Sequence, residues 1–256
     1  MKKFIRDLTV KKNVRLNSTN ALLKLTSSEK LPEILPGQFV QVKVENSPTT
    51  FLRRPISVHY VDYETNELWL LVQIVGDGTR KLSKLQESDT LNLIFPLGNS
   101  FTLPEKKDAK ILLVGGGVGI APLLYWSSIL KAKGYVCTFL LGGKSKENLI
   151  QLAEFEKAGE VLTTTEDGSL GEQGFVTQHS VLSETKFDAI YTCGPTPMMK
   201  AVAEYAKQTN TFCEVSLENT MACGIGACLC CVTDTMSGHV CVCTEGAVFN
   251  ITKLKW

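Results

Sequence analysis

The stretch AKILLVGGGVGIAPLLYWSSILKAKG, residues 109–134, decides the fold. Its apolar run ILLV is typical of a short buried strand, the glycines after it of a tight turn, and the remainder of a helix. The alternation continues downstream, where the sequence predicts buried strands and helices in turn, at 135–143, 145–159, 187–195 and 196–208. Such alternation predicts a doubly wound parallel α/β domain, which we place at residues 101–212.

Ahead of this domain, residues 1–100 alternate short β-rich runs with turn signals. The clearest strands are FVQVKV (39–44), ISVHYVD (56–62), LWLLVQIV (68–75) and TLNLIF (90–95). Closely spaced strands without long helices predict an antiparallel β-barrel. Residues 213–256 form a third region, too short for a large core of its own, and a bound metal would be a natural way to stabilise it.

The composition argues against several classes of protein. Hydrophobic residues make up 44% of the 256, and the formal net charge of +1 is spread evenly, which disfavours a nucleic-acid or membrane surface as the main partner. Residues 111–130 are uncharged over the length of a membrane span, but their glycines and proline favour a strand and a turn. The N-terminus lacks a signal-peptide core, so we expect a cytoplasmic protein, in which clustered cysteines bind metal more often than they form disulfides.

The glycine turn has the chemistry of a phosphate site. Glycines let the backbone approach a ligand, and the N-terminus of the following helix offers free N–H groups to a pyrophosphate. A second loop, in YTCGPTPMM (191–199), follows another predicted strand, and loops at the carboxyl ends of parallel strands converge on one crevice. The candidate dinucleotide-binding residues are Gly115, Gly116, Gly117, Gly119, Cys193, Gly194 and Pro195. A purely structural turn, and a buried small residue at Cys193, are the alternatives.

Six of the nine cysteines lie in MACGIGACLCCVTDTMSGHVCVC, residues 221–243. The order C-x4-C-x2-C followed by a later cysteine is that of a plant-type [2Fe–2S] site, and thiolates suit iron because they are soft and anionic. The candidate ligands are Cys223, Cys228, Cys231 and Cys243. Gly224 and Gly226 would let backbone N–H groups turn toward the sulfurs.

Two surplus thiols leave alternatives open at this site. Cys230 competes with Cys231, and Cys241 competes with Cys243, for a ligand position. A zinc ribbon built from Cys228, Cys231, Cys241 and Cys243 is a further alternative, although zinc sites usually use two C-x2-C knuckles and the second pair here is C-x-C.

GGGVGIAPL, with CGPTPMM downstream, resembles the ferredoxin–NADP⁺ reductase superfamily. The resemblance implies an N-terminal FAD-binding barrel with an Arg-x-x-Ser motif, which RRPIS (53–57) supplies, and a second flavin element at GDGT (76–79). Arg54 would grip the flavin pyrophosphate, and Ser57 would lie by the isoalloxazine ring. The implied flavin-binding residues are Arg54, Pro55, Ile56, Ser57, Leu71, Val72, Gln73, Gly78 and Thr79. Gln73 departs from the pattern, because many members carry a basic residue near that position.

SLENTMACGIGACLCC (216–231) and CTEGAVF (243–249) narrow the resemblance to the electron-transfer subunits of class 1B, NAD-linked dihydroorotate dehydrogenases. The match to TEGAVF favours Cys243 over Cys241 as the last ligand. The resemblance implies FAD, a [2Fe–2S] cluster and NAD as cofactors. It also implies an FMN-containing catalytic partner subunit, a heterotetramer, and a role in pyrimidine biosynthesis.

No residues of this chain form a recognisable substrate-oxidising site. The only histidines, His59, His179 and His239, fall in no acid–base arrangement, so we predict no catalytic residue here and expect substrate oxidation in the partner. Because nothing in the sequence is clearly built for a 2′-phosphate, we favour NADH over NADPH. An NADH-dependent reductase serving a ferredoxin or another dehydrogenase is the alternative function, and a zinc-stabilised module without redox activity is a third hypothesis.

Overall fold

The computed structural model describes residues 2–256 and divides the chain into two compact units. The first unit contains the chain up to Ser100 together with Glu218–Ala247, and the second contains Phe101–Leu217 and Val248–Trp256. The cysteine-rich segment, as we call Glu218–Ala247, therefore packs in the same unit as the N-terminal strands.

The N-terminal strands of the first unit close into the predicted antiparallel barrel, in the order β1-β2-β5-β4-β3-β6. A short helix, α1 (Asp77–Leu82), follows β5. The strands are β1 (Phe4–Arg15), β2 (Asn20–Thr26), β3 (Phe39–Val42), β4 (Arg54–Asp62), β5 (Glu67–Gln73) and β6 (Thr90–Leu97). Four of the six lie where the sequence predicted strands, with ends that differ by at most two residues.

Strands β1 and β2 were not among the strands named in the sequence analysis. In β1 the charged residues Asp7, Lys11, Lys12 and Arg15 are exposed, while Leu8 and Val10 are fully buried. This alternation is the signature of a strand with one buried face, and the polar residues that mask it in the sequence are those of the solvent face.

The second unit is built on a parallel sheet with the strand order β10-β9-β8-β7-β11-β12. Its strands are β7 (Ile111–Gly116), β8 (Cys137–Gly143), β9 (Glu160–Thr165), β10 (Glu172–Gln173), β11 (Ala189–Cys193) and β12 (Phe212–Ser216). The helices between them are α2 (Ala121–Ala132), α3 (Leu152–Glu156), α4 (Val181–Glu184) and α5 (Thr196–Gln208). The predicted α/β alternation is confirmed, and Trp126 of α2 packs on Tyr191 of β11 with ring centroids 5.3 Å apart.

The helix predicted at 145–159 is much shorter than expected. A 3-10 turn at Lys146–Asn148 is separated from α3 by Gln151, whose φ of +58° lies in the left-handed region. A left-handed residue cannot continue a right-handed helix, so the apolar spacing of this stretch supports only one turn of α-helix.

The cysteine-rich segment contains a hairpin of β13 (Val232–Thr235) and β14 (Gly238–Cys241), followed by the single turn of α6 (Val242–Glu245). The chain then returns to the second unit, where β15 (Val248–Asn250) pairs antiparallel with β12 at the sheet edge. Backbone pairing thus places both β12 and β15 in the α/β sheet.

Residues 111–130, the uncharged stretch of membrane-spanning length, are divided among β7, a 3-10 turn and the start of α2. Among residues 2–256, no helix combines the length and the apolar character needed to cross a membrane.

Candidate functional site

The loop of residues 223–231, which we call the thiol loop, directs backbone N–H groups at the sulfur of Cys223. Ile225, Ala227 and Cys228 donate to Cys223 Sγ over 3.4, 3.3 and 3.4 Å. These donors, with that of Ile225 foremost, lower the pKa of the Cys223 thiol to about 6. The loop therefore favours an anionic sulfur at this position, which is the form that binds metal.

A second pair of cysteines lies in the buried part of the segment. The N–H of Cys243 donates to Cys231 Sγ over 3.4 Å, and the N–H of Gly226 donates to Cys243 Sγ over 3.2 Å. Cys231 and Cys243 are both buried, and burial raises the pKa of the Cys243 thiol to about 12. The Gly226 donor acts in the opposite direction and lowers that pKa.

The glycines of the thiol loop allow these donors to point at sulfur. Gly224 and Gly226 have φ values of +70° and +86°, a region that costs other residues about 1 kcal/mol or more. A Cβ on Gly226 would also lie 2.9 Å from Thr244 Cγ2. This is the role that the sequence analysis assigned to both glycines.

The remaining cysteines of the segment are more accessible: Cys228 and Cys230 are exposed, and Cys241 is half-buried. Cys241 immediately precedes α6. Burial raises the pKa of the Cys241 thiol, and the nearby Cys231 thiol raises it further. Within residues 2–256, no three His, Cys, Asp or Glu side chains form a group already arranged to hold a metal ion. The donor set nevertheless fits an iron–sulfur cluster, because soft thiols and N–H groups directed at sulfur are what such a cluster requires.

The end of the cysteine-rich segment is fixed to the barrel by the loop that follows β6. Asn99 donates its backbone N–H to Gly246 O and its side-chain Nδ2 to Glu245 O, the latter over 3.0 Å. Gly98 has φ +77°, and a Cβ there would lie 2.7 Å from Gly246 O. The stretch PLGNSF (96–101) therefore helps to position the last cysteines.

The two adjacent arginines of RRPIS have different roles. The Arg53 guanidinium is half-buried and donates to the backbone oxygens of Gln41 and Asn92 over 3.2 and 3.0 Å. Its burial lowers the pKa of Arg53 from the ordinary value. Arg54 instead contacts its own loop, with Nη1 donating to Leu52 O over 2.8 Å. Arg53 thus stabilises the barrel, and Arg54 is the better candidate for a ligand.

The two predicted flavin elements lie side by side. A Cβ on Gly78 would lie 3.1 Å from Arg54 Nε and 3.1 Å from Thr50 Cγ2, so GDGT approaches the arginine closely at a position without a side chain. The Thr79 hydroxyl accepts N–H bonds from Val75 and Gly76 at the start of α1. Thr50 was missed by the sequence analysis, and no local pattern singles it out.

The other predicted flavin residues lie on neighbouring strands of the barrel. Ser57 of β4 pairs with Phe39 of β3 and is half-buried, and Pro55 and Ile56 precede it. On β5, the side chains of Leu71 and Val72 are buried, so their main chain is what a ligand could reach, whereas Gln73 at the end of the strand is exposed.

In the second unit, the two predicted nucleotide loops pack against each other at the carboxyl ends of β7 and β11. Gly115 pairs with Cys193 in the sheet register. A Cβ on Gly119 would lie 2.5 Å from Cys193 O and from Gly194 N, and one on Gly116 would lie 3.0 Å from Pro195 Cδ. The expected convergence of the two loops is therefore present, and glycine is what permits it.

Gly117 is the glycine of this loop whose missing side chain would point into open space. Its φ is +57°, and no heavy atom of residues 2–256 beyond its chain neighbours lies within 4 Å of a Cβ built there. Cys193, by contrast, is fully buried at the end of β11. Its role in binding the dinucleotide stays a prediction.

The histidines occupy positions that suit structural or solvent-facing roles. His59 is buried in the barrel, and His239 is exposed on the hairpin, 3.7 Å from Asp234. In the second unit, His179 Nδ1 accepts the N–H of Val181 over 3.1 Å.

Two protein-family models match the chain. The one described as the iron–sulfur cluster binding domain of dihydroorotate dehydrogenase B covers residues 218–255. The one described as an oxidoreductase NAD-binding domain covers residues 113–204.

Curated relatives match over most of their length. A dihydroorotate dehydrogenase B (NAD(+)) electron transfer subunit from Caldanaerobacter subterraneus subsp. tengcongensis is 44% identical, with 84% of each chain covered. A protein of the same name from Lysinibacillus sphaericus is 37% identical over 91% of each chain, and one from Fusobacterium nucleatum is 34% identical over 96% of each.

Solved structures share the same architecture. The structure described as an NADH-dependent reduced ferredoxin-NADP oxidoreductase, studied for flavin-based electron bifurcation, superposes with a TM-score of 0.88 at 32% identity, covering 97% of this chain and 90% of that one. The Amycolatopsis cytochrome P450 reductase GcoB, at 23% identity and a TM-score of 0.69 over 80% of this chain and 66% of that one, shares the fold.

Proposed function

The chain belongs to the family of dihydroorotate dehydrogenase B (NAD(+)) electron transfer subunits, and on that premise we propose how its residues carry electrons between a dihydroorotate-oxidising partner and NAD⁺. The chain is an oxidoreductase subunit with FAD, a [2Fe–2S] cluster and NAD as its cofactors. The observation that carries the proposal is the set of backbone N–H groups directed at Cys223, Cys231 and Cys243.

The proposed cluster ligands are Cys223, Cys228, Cys231 and Cys243. Cys243 is favoured over Cys241 because its sulfur accepts the Gly226 N–H and its own N–H reaches Cys231 Sγ. Cys228 and Cys230 are both exposed, and neither sulfur accepts one of these N–H donors among residues 2–256, so the C-x4-C-x2-C spacing is the reason that we assign ligand roles to Cys228 and Cys231 and none to Cys230. Thiol loop donors would stabilise the negative charge that collects on the sulfurs.

In the barrel, we assign phosphate binding to Arg54 and to the backbone at Gly78, which adjoin each other. Pro55, Ile56 and Ser57 would flank the flavin ring, with the main chain at Leu71, Val72 and Gln73. Thr79 contributes through its backbone, because its hydroxyl already accepts the N–H groups that begin α1. FAD, when bound, exchanges a hydride with a nicotinamide and single electrons with an iron–sulfur cluster.

In the second unit, the glycine loop and the Cys193–Pro195 loop would bind the dinucleotide. Gly115, Gly116 and Gly119 bring the loops together without side chains between them. Gly117, where a Cβ would meet open space, is the position at which a pyrophosphate would approach the backbone most closely. We propose that residues 1–100 bind FAD, that residues 101–212 bind NAD, and that the cysteines within 213–256 bind the cluster.

We further propose that the partner is an FMN-containing catalytic subunit, that two copies of each chain form a heterotetramer, and that the complex works in the cytoplasm, where thiols stay reduced. The names of the relatives support a catalytic partner.

The test is reconstitution of the native complex. The purified chain should carry flavin and cluster absorption, and with its copurified catalytic partner it should reduce NAD⁺ when dihydroorotate is added. Cys228→Ser should abolish this activity, whereas Cys230→Ser should retain it. The proposal would be wrong if the chain, fully loaded with FAD and cluster and mixed with excess partner, formed no NADH when dihydroorotate was added.

A second candidate function is an NADH-linked reductase that exchanges electrons with a ferredoxin. It is favoured by the TM-score of 0.88 and the 32% identity to the ferredoxin-NADP oxidoreductase structure. Presenting the loaded chain with reduced ferredoxin and with the dihydroorotate-oxidising subunit in parallel would distinguish the two. A faster rate with ferredoxin would favour the second function.

A further inference from the structure

Gln41 is a buried amide in the middle of the shortest barrel strand. In β3 it stands opposite Pro55 of β4 and Ile94 of β6, and the neighbouring Val40 and Val42 are fully buried. The Gln41 side chain itself is 0% exposed. A glutamine enclosed to this degree is unusual, because its two polar atoms lose their hydration.

The amide has no partner inside the protein. Neither Nε2 nor Oε1 of Gln41 forms a hydrogen bond with any of residues 2–256, whereas its backbone oxygen accepts a bond from Arg53. Most buried polar side chains are hydrogen-bonded, so an unpaired one indicates a group that the described chain does not supply.

The amide lies against the thiol loop. A Cβ built on Gly224 would lie 2.6 Å from Gln41 Cγ and 3.0 Å from Nε2, so the glycine leaves room for the amide as well as adopting its left-handed φ. Gly224 stands between Cys223 and Ile225, whose N–H donates to the Cys223 sulfur. Gln41 is therefore a barrel side chain that lies against the backbone next to the first proposed ligand.

We propose that Gln41 Nε2 donates a hydrogen bond to a sulfur of the iron–sulfur unit bound by the thiol loop, and that it thereby sets the reduction potential of that unit. The inference rests on the proposed function, since it requires the cluster to be bound at Cys223. A donor to sulfur stabilises the reduced state, which carries one more negative charge, and so raises the reduction potential. Gln41 is a positioning and potential-setting residue, and it takes no part in bond making or breaking.

Gln38 provides a matched control. It is also a buried glutamine beside β3, 1% exposed, but both of its polar atoms are paired: Nε2 donates to Gly98 O over 3.0 Å, and Oε1 accepts from Leu35 N over 2.7 Å. Gln41→Met and Gln38→Met each replace an amide by an unbranched side chain of similar length that cannot donate.

The test is an EPR-monitored reductive titration of the cluster in the FAD-loaded holoprotein. We expect Gln41→Met to lower the equilibrium constant for one-electron reduction of the cluster about tenfold, which corresponds to about 59 mV. Gln38→Met should leave the cluster potential unchanged while lowering the denaturant midpoint of unfolding. Gln41→Met should not lower that midpoint in the iron-free protein, because the amide it removes is unpaired.

The outcomes separate this inference from the function on which it rests. A wild-type protein with no EPR signal after reconstitution would contradict the proposed cluster itself. A wild-type cluster whose potential is the same in Gln41→Met would overturn the role of Gln41 and leave the function intact. A shift in the flavin potential alone would also overturn it, because the amide would then face the flavin.

A direct measurement decides the matter if Gln41→Met fails to take up the cluster. Wild-type holoprotein labelled with ¹⁵N in its glutamine side chains should show a ¹⁵N hyperfine coupling in the pulsed EPR spectrum of the reduced cluster. The labelled Gln38→Met protein should retain this coupling. Absence of any glutamine side-chain coupling in the wild type would overturn the inference.

Discussion

The thiol loop of the first unit and the glycine loop of the second both depend on glycine, but for different reasons. In the thiol loop, Gly224 and Gly226 have positive φ values that turn backbone N–H groups toward sulfur. In the glycine loop, Gly115, Gly116 and Gly119 have ordinary φ values, and what matters is the missing Cβ. In the thiol loop the positive φ of Gly224 and Gly226 directs donors at sulfur, whereas in the glycine loop the missing Cβ at Gly115, Gly116 and Gly119 allows close packing against a second loop.

The surroundings of the two loops follow the same distinction. Ile225 and Leu229 of the thiol loop are exposed, whereas Leu112 and Val114 of β7, which leads into the glycine loop, are fully buried. A loop with few apolar contacts draws its order from what it binds, while a loop anchored on a buried sheet keeps its conformation without a ligand. The two loops should therefore respond differently to substitution and to removal of iron.

The largest effect is expected from a ligand substitution in the thiol loop. Cys228→Ser removes a proposed iron ligand, and we expect complete loss of the EPR signal of the reduced cluster with FAD retained. The measurement is the EPR and visible spectra of the reconstituted protein. Cys230→Ser, at an exposed cysteine two residues away, is the control and should keep the signal. Equal loss in both variants would contradict the assignment of ligands.

Iron removal should affect the same region. Chelation of the wild-type protein should increase amide hydrogen exchange in residues 223–231, because their order depends on the bound metal. Exchange in β7, measured in the same experiment, should stay unchanged and serves as the internal control. If the two regions became unprotected together, the distinction between them would be wrong.

A steric substitution in the glycine loop should produce a large loss of stability. In Gly119→Ala the new Cβ would lie 2.5 Å from Cys193 O and Gly194 N, and backbone on both sides cannot yield easily. We expect the free energy of unfolding to fall by about 3 kcal/mol or more, together with weaker NADH binding. The measurement is denaturant unfolding. In Gly117→Ala, where the added Cβ meets no other group, only the cost of a positive φ remains, about 1–2 kcal/mol. A larger loss for Gly117→Ala would contradict the packing argument.

Arg53 and Arg54 show the same distinction between a residue that supports the fold and a residue that is available to a ligand. Arg54→Ala should weaken FAD binding about 10- to 150-fold, the loss of a charge-assisted hydrogen bond to phosphate, with little change in the stability of the flavin-free protein. Arg53→Ala should instead lower the stability of the flavin-free protein, because it removes donors to Gln41 O and Asn92 O. FAD titration and unfolding of the flavin-free protein measure the two effects. The assignment fails if the variants have the reverse pattern.

The smallest effect concerns a buried carboxyl in the second unit. Glu214 of β12 is 6% exposed, and burial raises its pKa above the ordinary 4.5, although the N–H and hydroxyl of Thr102 donate to it. The folded protein therefore holds this proton more tightly than the unfolded chain does. The favourable contribution of the group is complete below pH 4.5 and is lost as the pH rises through the folded pKa.

The quantity to compare is the difference in the free energy of unfolding between the wild type and Glu214→Gln. We expect this difference, wild type minus variant, to decrease by about 1 kcal/mol as the pH rises from 4 to 7. Denaturant unfolding of both proteins across this range measures it. Glutamine does not titrate, so the variant supplies the reference at each pH. A difference that grows with pH would show that the carboxylate is stabilised in the fold.

Much of the fold could be predicted from the sequence because its signals are local. The strand, turn and helix of residues 109–134 follow from apolar runs and glycines that are neighbours in the chain, and the structure has them as β7, a 3-10 turn and α2. Strand β1 has the same kind of signal, but the charges of its solvent face hid the alternation of Leu8 and Val10.

By itself, the sequence determined which chemistry the protein carries, since the spacing of Cys223, Cys228 and Cys231 and the glycines after β7 are properties of short segments. Only the tertiary structure decided that Arg53 supports the barrel while Arg54 adjoins Gly78, and that an unpaired Gln41 faces Gly224. These contacts join residues far apart in the chain, and their energies depend on burial and direction. Neither quantity exists until the strands have closed into a barrel and the cysteine-rich segment has packed on it.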